Sequence, residues 1–125
     1  MNVLVNIQQA YQQAKSYPDL VRKLIAIGIH SYTVDVTTGT ILYRLSGGVN
    51  ALHEATSNRE ISTAFTRQAV IQAIRDNQQG KTDYPAFLND IAKAGVRFYE
   101  ATLEGNRKRV TYIGTGGWYE ELITS

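Results

Sequence analysis

Two stretches of this 125-residue sequence say nearly the same thing, and that repetition limits the folds open to it. Gln12-Gln13-Ala14-Lys15-Ser16-Tyr17-Pro18 returns as Gln78-Gln79-Gly80-Lys81-Thr82-Asp83-Tyr84-Pro85 with one insertion. From there Tyr17 to Tyr32 matches Tyr84 to Tyr99 at a constant offset (84 − 17 = 67). Further on, Tyr43-Arg44-Leu45-Ser46-Gly47-Gly48 answers Tyr112-Ile113-Gly114-Thr115-Gly116-Gly117. The pattern implies an internal duplication within one domain spanning 1–125, with repeat 1 about 3–52, repeat 2 about 66–123, and a linker 53–65.

Each half then serves as a check on the other. Ile7, Ala10, Tyr11 and Ala14 fall at helical spacing, as do Ala69, Val70, Ala73 and Ile74. Ser16 followed by Asp19 fits a helix-capping box, Pro18 is tolerated in a first turn, and Thr66 is a candidate cap for the third helix. Leu20, Val21, Leu24 and Ile25 form the stripe of a second helix, matched by Phe87, Leu88, Ile91 and Ala92, with Gly28 and Gly95 as stops. Alternation over His30–Val36 and Arg97–Leu103 predicts a strand in each half. That reading puts His30, Tyr32, Arg97 and Tyr99 on the apolar side. Turn signals at Thr38-Gly39 and Gly105-Asn106 lead to hairpin partners over Thr40–Leu45 and Lys108–Ile113, with third strands over Val49–Leu52 and Trp118–Ile123. The expected fold class is α+β: two helix–helix–strand–strand–strand units sharing an antiparallel or mixed sheet, helices on one face, related by a pseudo-twofold. Residues 53–65 are the least readable segment, and a strand and a helical turn are both open there.

Composition excludes more than it assigns. Without cysteine there is no disulfide, thiolate nucleophile or Cys-ligated metal, and two histidines at unrelated spacing suggest no metal site. A net charge of +2 is too small to announce nucleic acid or a membrane, and no apolar run approaches the length of a span. The expectation is a cytoplasmic protein with no cofactor. The excess of tyrosine, eight against three Phe and one Trp, is the one unusual entry in the composition.

The run Gln79-Gly80-Lys81-Thr82-Asp83-Tyr84-Pro85, followed by Phe87, Ala92-Lys93-Ala94-Gly95-Val96 and the Tyr99 strand, resembles the YbcV-like family of small bacterial proteins, a domain of unknown function sometimes labelled phage envelope protein. The resemblance implies no activity, cofactor or catalytic residue. Relatives in that pattern carry His at the position of Asn77, cysteines near Leu88 and Ile91, and Trp at Tyr99, so metal or redox chemistry resting on such a cluster has no counterpart in these residues.

His30 and Arg97, at equivalent strand starts beside Tyr32 and Tyr99, form the preferred candidate ligand site, Arg97 suiting a carboxylate or phosphate. In an enzymatic alternative His30 is an acid/base and Arg97 an anion anchor, although the nearby carboxylates, Asp35 and Glu100, alternate to the other strand face. Lys81 and Asp83 are secondary candidates that read more readily as helix punctuation. Arg107-Lys108-Arg109 supports a nucleic-acid-binding alternative, weakened by Glu100, Glu104, Glu120 and Glu121 nearby. His53-Glu54 reads as solvated loop, and Gly114–Gly117 as a hairpin turn rather than a phosphate nest. The leading functional expectation is a non-enzymatic domain whose aromatic-rich sheet serves a small ligand or a partner chain, a homodimer included.

Overall fold

A computed structural model describes residues 2–123. Helices α1 (Val3–Gln13) and α2 (Tyr17–Ile27) precede strands β1 (Ile29–Asp35), β2 (Ile41–Leu45) and β3 (Asn50–His53). Helices α3 (Arg67–Gln78) and α4 (Tyr84–Lys93) precede β4 (Val96–Thr102), β5 (Arg109–Gly114) and β6 (Trp118–Leu122). The fold class is α+β, and both halves follow the same element order. One six-stranded sheet runs β3-β2-β1-β4-β5-β6, every neighbouring pair antiparallel. That order reads the same when the halves are exchanged, and β1 with β4 forms the seam.

Local chemistry explains the helix boundaries. Asp19 N–H donates to Ser16 Oγ at 3.2 Å, and the Asp19 carboxylate accepts from Lys15 N–H at 3.0 Å, so the start of α2 is tied from both sides. Asp83 caps α4 by accepting from Ala86 N–H at 2.9 Å, with Pro85 in the first turn as Pro18 is in α2. Thr66 occupies the cap position of α3 without a side-chain bond. Gly28 and Gly95 leave their helices at φ of 107° and 97°, where a Cβ is strained.

Helices cover one face of the sheet. Leu20, Val21, Leu24, Phe87, Leu88 and Ile91 pack with Tyr32, Val34, Tyr43, Tyr99, Ala101 and Tyr112 in a single core. The opposite face is open, and there Arg44 on β2 donates to Thr33 Oγ1 at 2.8 Å and pairs with Glu100 at 3.3 Å. Both charged side chains are more than two-fifths exposed, so the pair adds little stability. No helix among the described residues is long and apolar enough to cross a membrane.

The structure corrects the reading of one segment and supplies the conformation of another. His30 and Arg97 do not lie on the apolar side, because each is the extra residue of a β-bulge. Ile29 pairs with Leu45 and Ser31 with Arg44; Val96 pairs with Gly114 and Phe98 with Ile113. The bulges shift the buried positions to Ile29 and Tyr32, and to Val96 and Tyr99, three residues apart instead of two. The linker is the second segment. His53 belongs to β3, and the following residues form neither strand nor helical turn but are strapped across one end of the sheet by backbone bonds. Ser57 N–H donates to Thr38 O, Arg59 N–H to Thr37 O, and Ser62 N–H to Ala92 O, at 3.2, 2.9 and 3.0 Å.

Where the strap meets the core it leaves no space. A Cβ on Gly95 would stand 2.3 Å from Ala64 O, while Gly105, also at positive φ, has nothing within 4 Å. Gly95→Ala is therefore expected to cost about 3 kcal/mol or more, combining strain with a backbone clash, and Gly105→Ala only about 1 kcal/mol. Urea denaturation of the two variants checks the difference; equal losses would mean that the strap yields freely.

Candidate functional site

Between the helix pairs, on the covered side of the sheet, lies a cleft of about 1040 Å³. Of the eight tyrosines, Tyr43 alone is not part of its lining. Strand register explains the gathering. Tyr99, Tyr112 and Tyr119 stand opposite one another on β4, β5 and β6, and Tyr43 stands opposite Tyr32 on β2 and β1. The rings form a row of three on β4, β5 and β6, with Tyr99 and Tyr112 centroids 5.3 Å apart and Tyr112 stacked on Tyr119 at 6.3 Å, and a pair on β1 and β2, Tyr32 and Tyr43, at 5.7 Å. Such pairs contribute about 0.5–1.5 kcal/mol each beyond their buried area.

Tyrosine hydroxyls bond to one another across the layers. Tyr17, the first residue of α2, shares a 2.7 Å hydrogen bond with Tyr32 on β1. Tyr84, the first residue of α4, shares one of 3.0 Å with Tyr99 on β4. Tyr43 on β2 donates to Tyr11 on α1 at 3.2 Å. Burial pushes the phenols of Tyr32, Tyr99 and Tyr112 well above their ordinary 10.0, and raises Tyr17 and Tyr43 as well, so the cleft wall is uncharged at neutral pH.

One end of the cleft carries charge. Arg75 on α3 grips Glu121 on β6 through two contacts of 2.8 and 3.0 Å. Tyr119 donates to the same carboxylate at 2.9 Å, and Gln78 at 3.4 Å. The bidentate contact sets one charge against the other. The cleft's other cation, Lys15, is exposed at the rim.

The four residues of the sequence-derived ligand site do not converge. Tyr32 and Tyr99 line the cleft as diagonal neighbours on adjacent strands, since Tyr32 stands opposite Ala101 and Val34 opposite Tyr99. His30 and Arg97 lie at opposite ends of the β1–β4 ladder, where Leu103 N–H donates to His30 O and Val36 N–H to Arg97 O. Antiparallel pairing sends two strand starts apart, here by about 20 Å over six residues. Arg97 borders a smaller cavity of about 360 Å³ with Asp35, Ser62, Thr63 and Thr115, its guanidinium 5.9 Å from the Phe98 ring centre.

His30 has partners that alternation along its own strand does not reveal. Its Nε2 lies 2.9 Å from Ser46 Oγ and its Nδ1 3.2 Å from Glu104 Oε2. Neither Asp35 nor Glu100 takes that role: Asp35 accepts from Thr38, and Glu100 pairs with Arg44. Of the secondary candidates, Asp83 is the cap of α4 and Lys81 is exposed in the α3–α4 loop. Arg107 and Arg109 both pair with Glu120, whose carboxyl Arg107 holds below its usual range, so one carboxylate offsets one of the three positive charges of the run. Gly114 N–H donates to Gly117 O at 2.9 Å, closing the β5–β6 turn on which Phe65 packs. Among the described residues no group of three or more His, Asp or Glu gathers as a metal site would require.

Sequence reasoning passed over Tyr112, Arg75 and Glu121. The available signal was the pair of tyrosines left unmatched by the repeat, Tyr11 and Tyr119, which mark where the halves differ. A family model described as "Protein of unknown function (DUF1398)" matches residues 6–117. No curated protein matches the chain.

The buried phenols carry a pH signature. Their folded-state values lie above the unfolded 10.0, so their contribution is complete below pH 10 and is lost as pH rises from there toward the raised values. Each of Tyr32, Tyr99 and Tyr112 then weakens the fold by about 1.4 kcal/mol per pH unit. Phenolate absorbance at 295 nm is expected to rise in one cooperative step together with loss of circular dichroism. Independent titration near pH 10 with the fold intact would contradict the buried wall.

Proposed function

The chain belongs to the DUF1398 family of proteins of unknown function, and we propose that it is a non-enzymatic small-ligand-binding domain whose site is the tyrosine-lined cleft. The observation that carries this reading is the gathering of phenol rings around one large cleft whose ionised pair is already compensated. Such a wall offers flat apolar faces with hydrogen-bonding tips, and the fitting ligand class is an uncharged, flat, partly apolar molecule. Indole and quinoline, titrated into labelled protein by NMR, are expected to bind at about 1 mM or tighter and to shift Tyr99, Tyr112 and Ile74 signals. Shifts confined to other surfaces, or no binding by either compound, would remove the cleft as a ligand site.

A hydrolytic reading has one observation in its favour, the Ser46–His30–Glu104 arrangement, whose contacts run in the order nucleophile, base, orienting acid. Its surroundings count against it. His30 is 45% exposed and Glu104 63%, and His30 borders neither of the two cavities. Water therefore competes for every contact, and nothing excludes it from the Ser46 hydroxyl. Ser46→Ala is expected to leave p-nitrophenyl acetate hydrolysis at the wild-type rate. A loss of about tenfold or more would shift the assignment to an esterase.

A further inference from the structure

The two halves of the molecule treat equivalent tyrosines differently. On α1 the buried Ile7 and Ala10 are followed by Tyr11, whose ring is partly exposed; on α3, Val70, Ala73 and Ile74 have the same spacing and are all buried. Tyr11 reaches across to accept a hydrogen bond from Tyr43 and closes the first half over β2. Ile74 is shorter and has no hydroxyl, so Tyr112, which stands in the second half where Tyr43 stands in the first, meets no such partner. Among the described residues nothing hydrogen-bonds the Tyr112 hydroxyl, although the residue is only 6% exposed. Among the described residues the one sealed side-chain oxygen or nitrogen without a partner is Thr82 Oγ1, so the Tyr112 oxygen opens onto the cleft it lines.

A hydroxyl that opens onto the cleft is hydrated there, and a ligand that displaces this water keeps the hydrogen bond only if it brings an acceptor of its own. The phenol keeps its proton, and because the ring draws on the oxygen lone pair it donates more strongly than it accepts. The neighbouring carboxylate does not compete for that proton, since Arg75, Gln78 and Tyr119 already occupy Glu121. Tyr112 is the middle ring of the Tyr99–Tyr112–Tyr119 row, whose neighbouring planes are inclined by 36° and 22°. We infer that this end of the cleft is a carbonyl-recognition subsite: a flat, uncharged ligand lies along the tyrosine row, and its carbonyl oxygen accepts from Tyr112. The inference rests on the cleft being a ligand site and specifies the chemistry it selects.

The test compares 1-indanone with indane, which matches its ring system but lacks the acceptor, by NMR titration. Wild type is expected to bind 1-indanone about tenfold more tightly, the equivalent of one hydrogen bond. Tyr112→Phe is expected to abolish that preference by weakening 1-indanone alone. Tyr43→Phe, whose hydroxyl is engaged by Tyr11, should leave the preference unchanged. The infrared carbonyl stretch of bound 1-indanone should move to lower frequency in wild type and not in Tyr112→Phe. If both compounds bind but Tyr112→Phe keeps the preference, the subsite is overturned and the cleft stands. If neither binds, the cleft reading falls and the subsite with it.

Discussion

A phenol carried under a helix layer must bring a hydrogen-bond partner with it, and that requirement organises the covered side of this sheet. The ring gains from leaving water while the hydroxyl loses unless it is paired. Tyr17 and Tyr84 begin α2 and α4, and each reaches the strand that follows its helix at Tyr32 and Tyr99. Those two bonds tie the start of each second helix to the central strands. A third, between Tyr43 and Tyr11, ties α1 to β2.

The β1–β4 seam completes the arrangement. It joins the halves into one sheet and brings Tyr32 and Tyr99 together as diagonal neighbours in the cleft lining. Because the strands are antiparallel, the same seam separates His30 from Arg97. Symmetric placement thus concentrates what lies near the middle of each strand and disperses what lies at its start. The departure from symmetry, Tyr11 against Ile74, is what leaves one hydroxyl without a partner.

Most elements of the fold are legible in the sequence because the two halves share helix stripes, caps and turn glycines. Asp83 as a cap and Gly114–Gly117 as a turn were readable for the same reason. The side of the sheet faced by His30 and Arg97 was not. Strict alternation assumes an unbroken ladder, and a bulge leaves no unambiguous mark in a run such as Ile29-His30-Ser31. Glu104 escaped notice as a partner of His30 because it lies past the end of β4 and reaches His30 only through strand pairing. The strap after β3 has neither period, since its order comes from backbone bonds to the sheet end and helix α4. The repeat drew attention to Tyr32 and Tyr99, the matched pair, whereas the unpartnered hydroxyl arises where the halves stop matching.

Tyr112 is as buried as Tyr99, yet its hydroxyl opens onto the cleft. Hydroxyl-proton exchange, measured with ζ-¹³C-labelled tyrosine through the deuterium isotope shift, resolves each phenol separately. Slow exchange is expected for Tyr32 and Tyr99, held in their pairs, and fast exchange for Tyr112. Exchange at Tyr112 as slow as at Tyr32 would contradict this, because the hydroxyl would then be bonded or sealed and unable to meet a ligand.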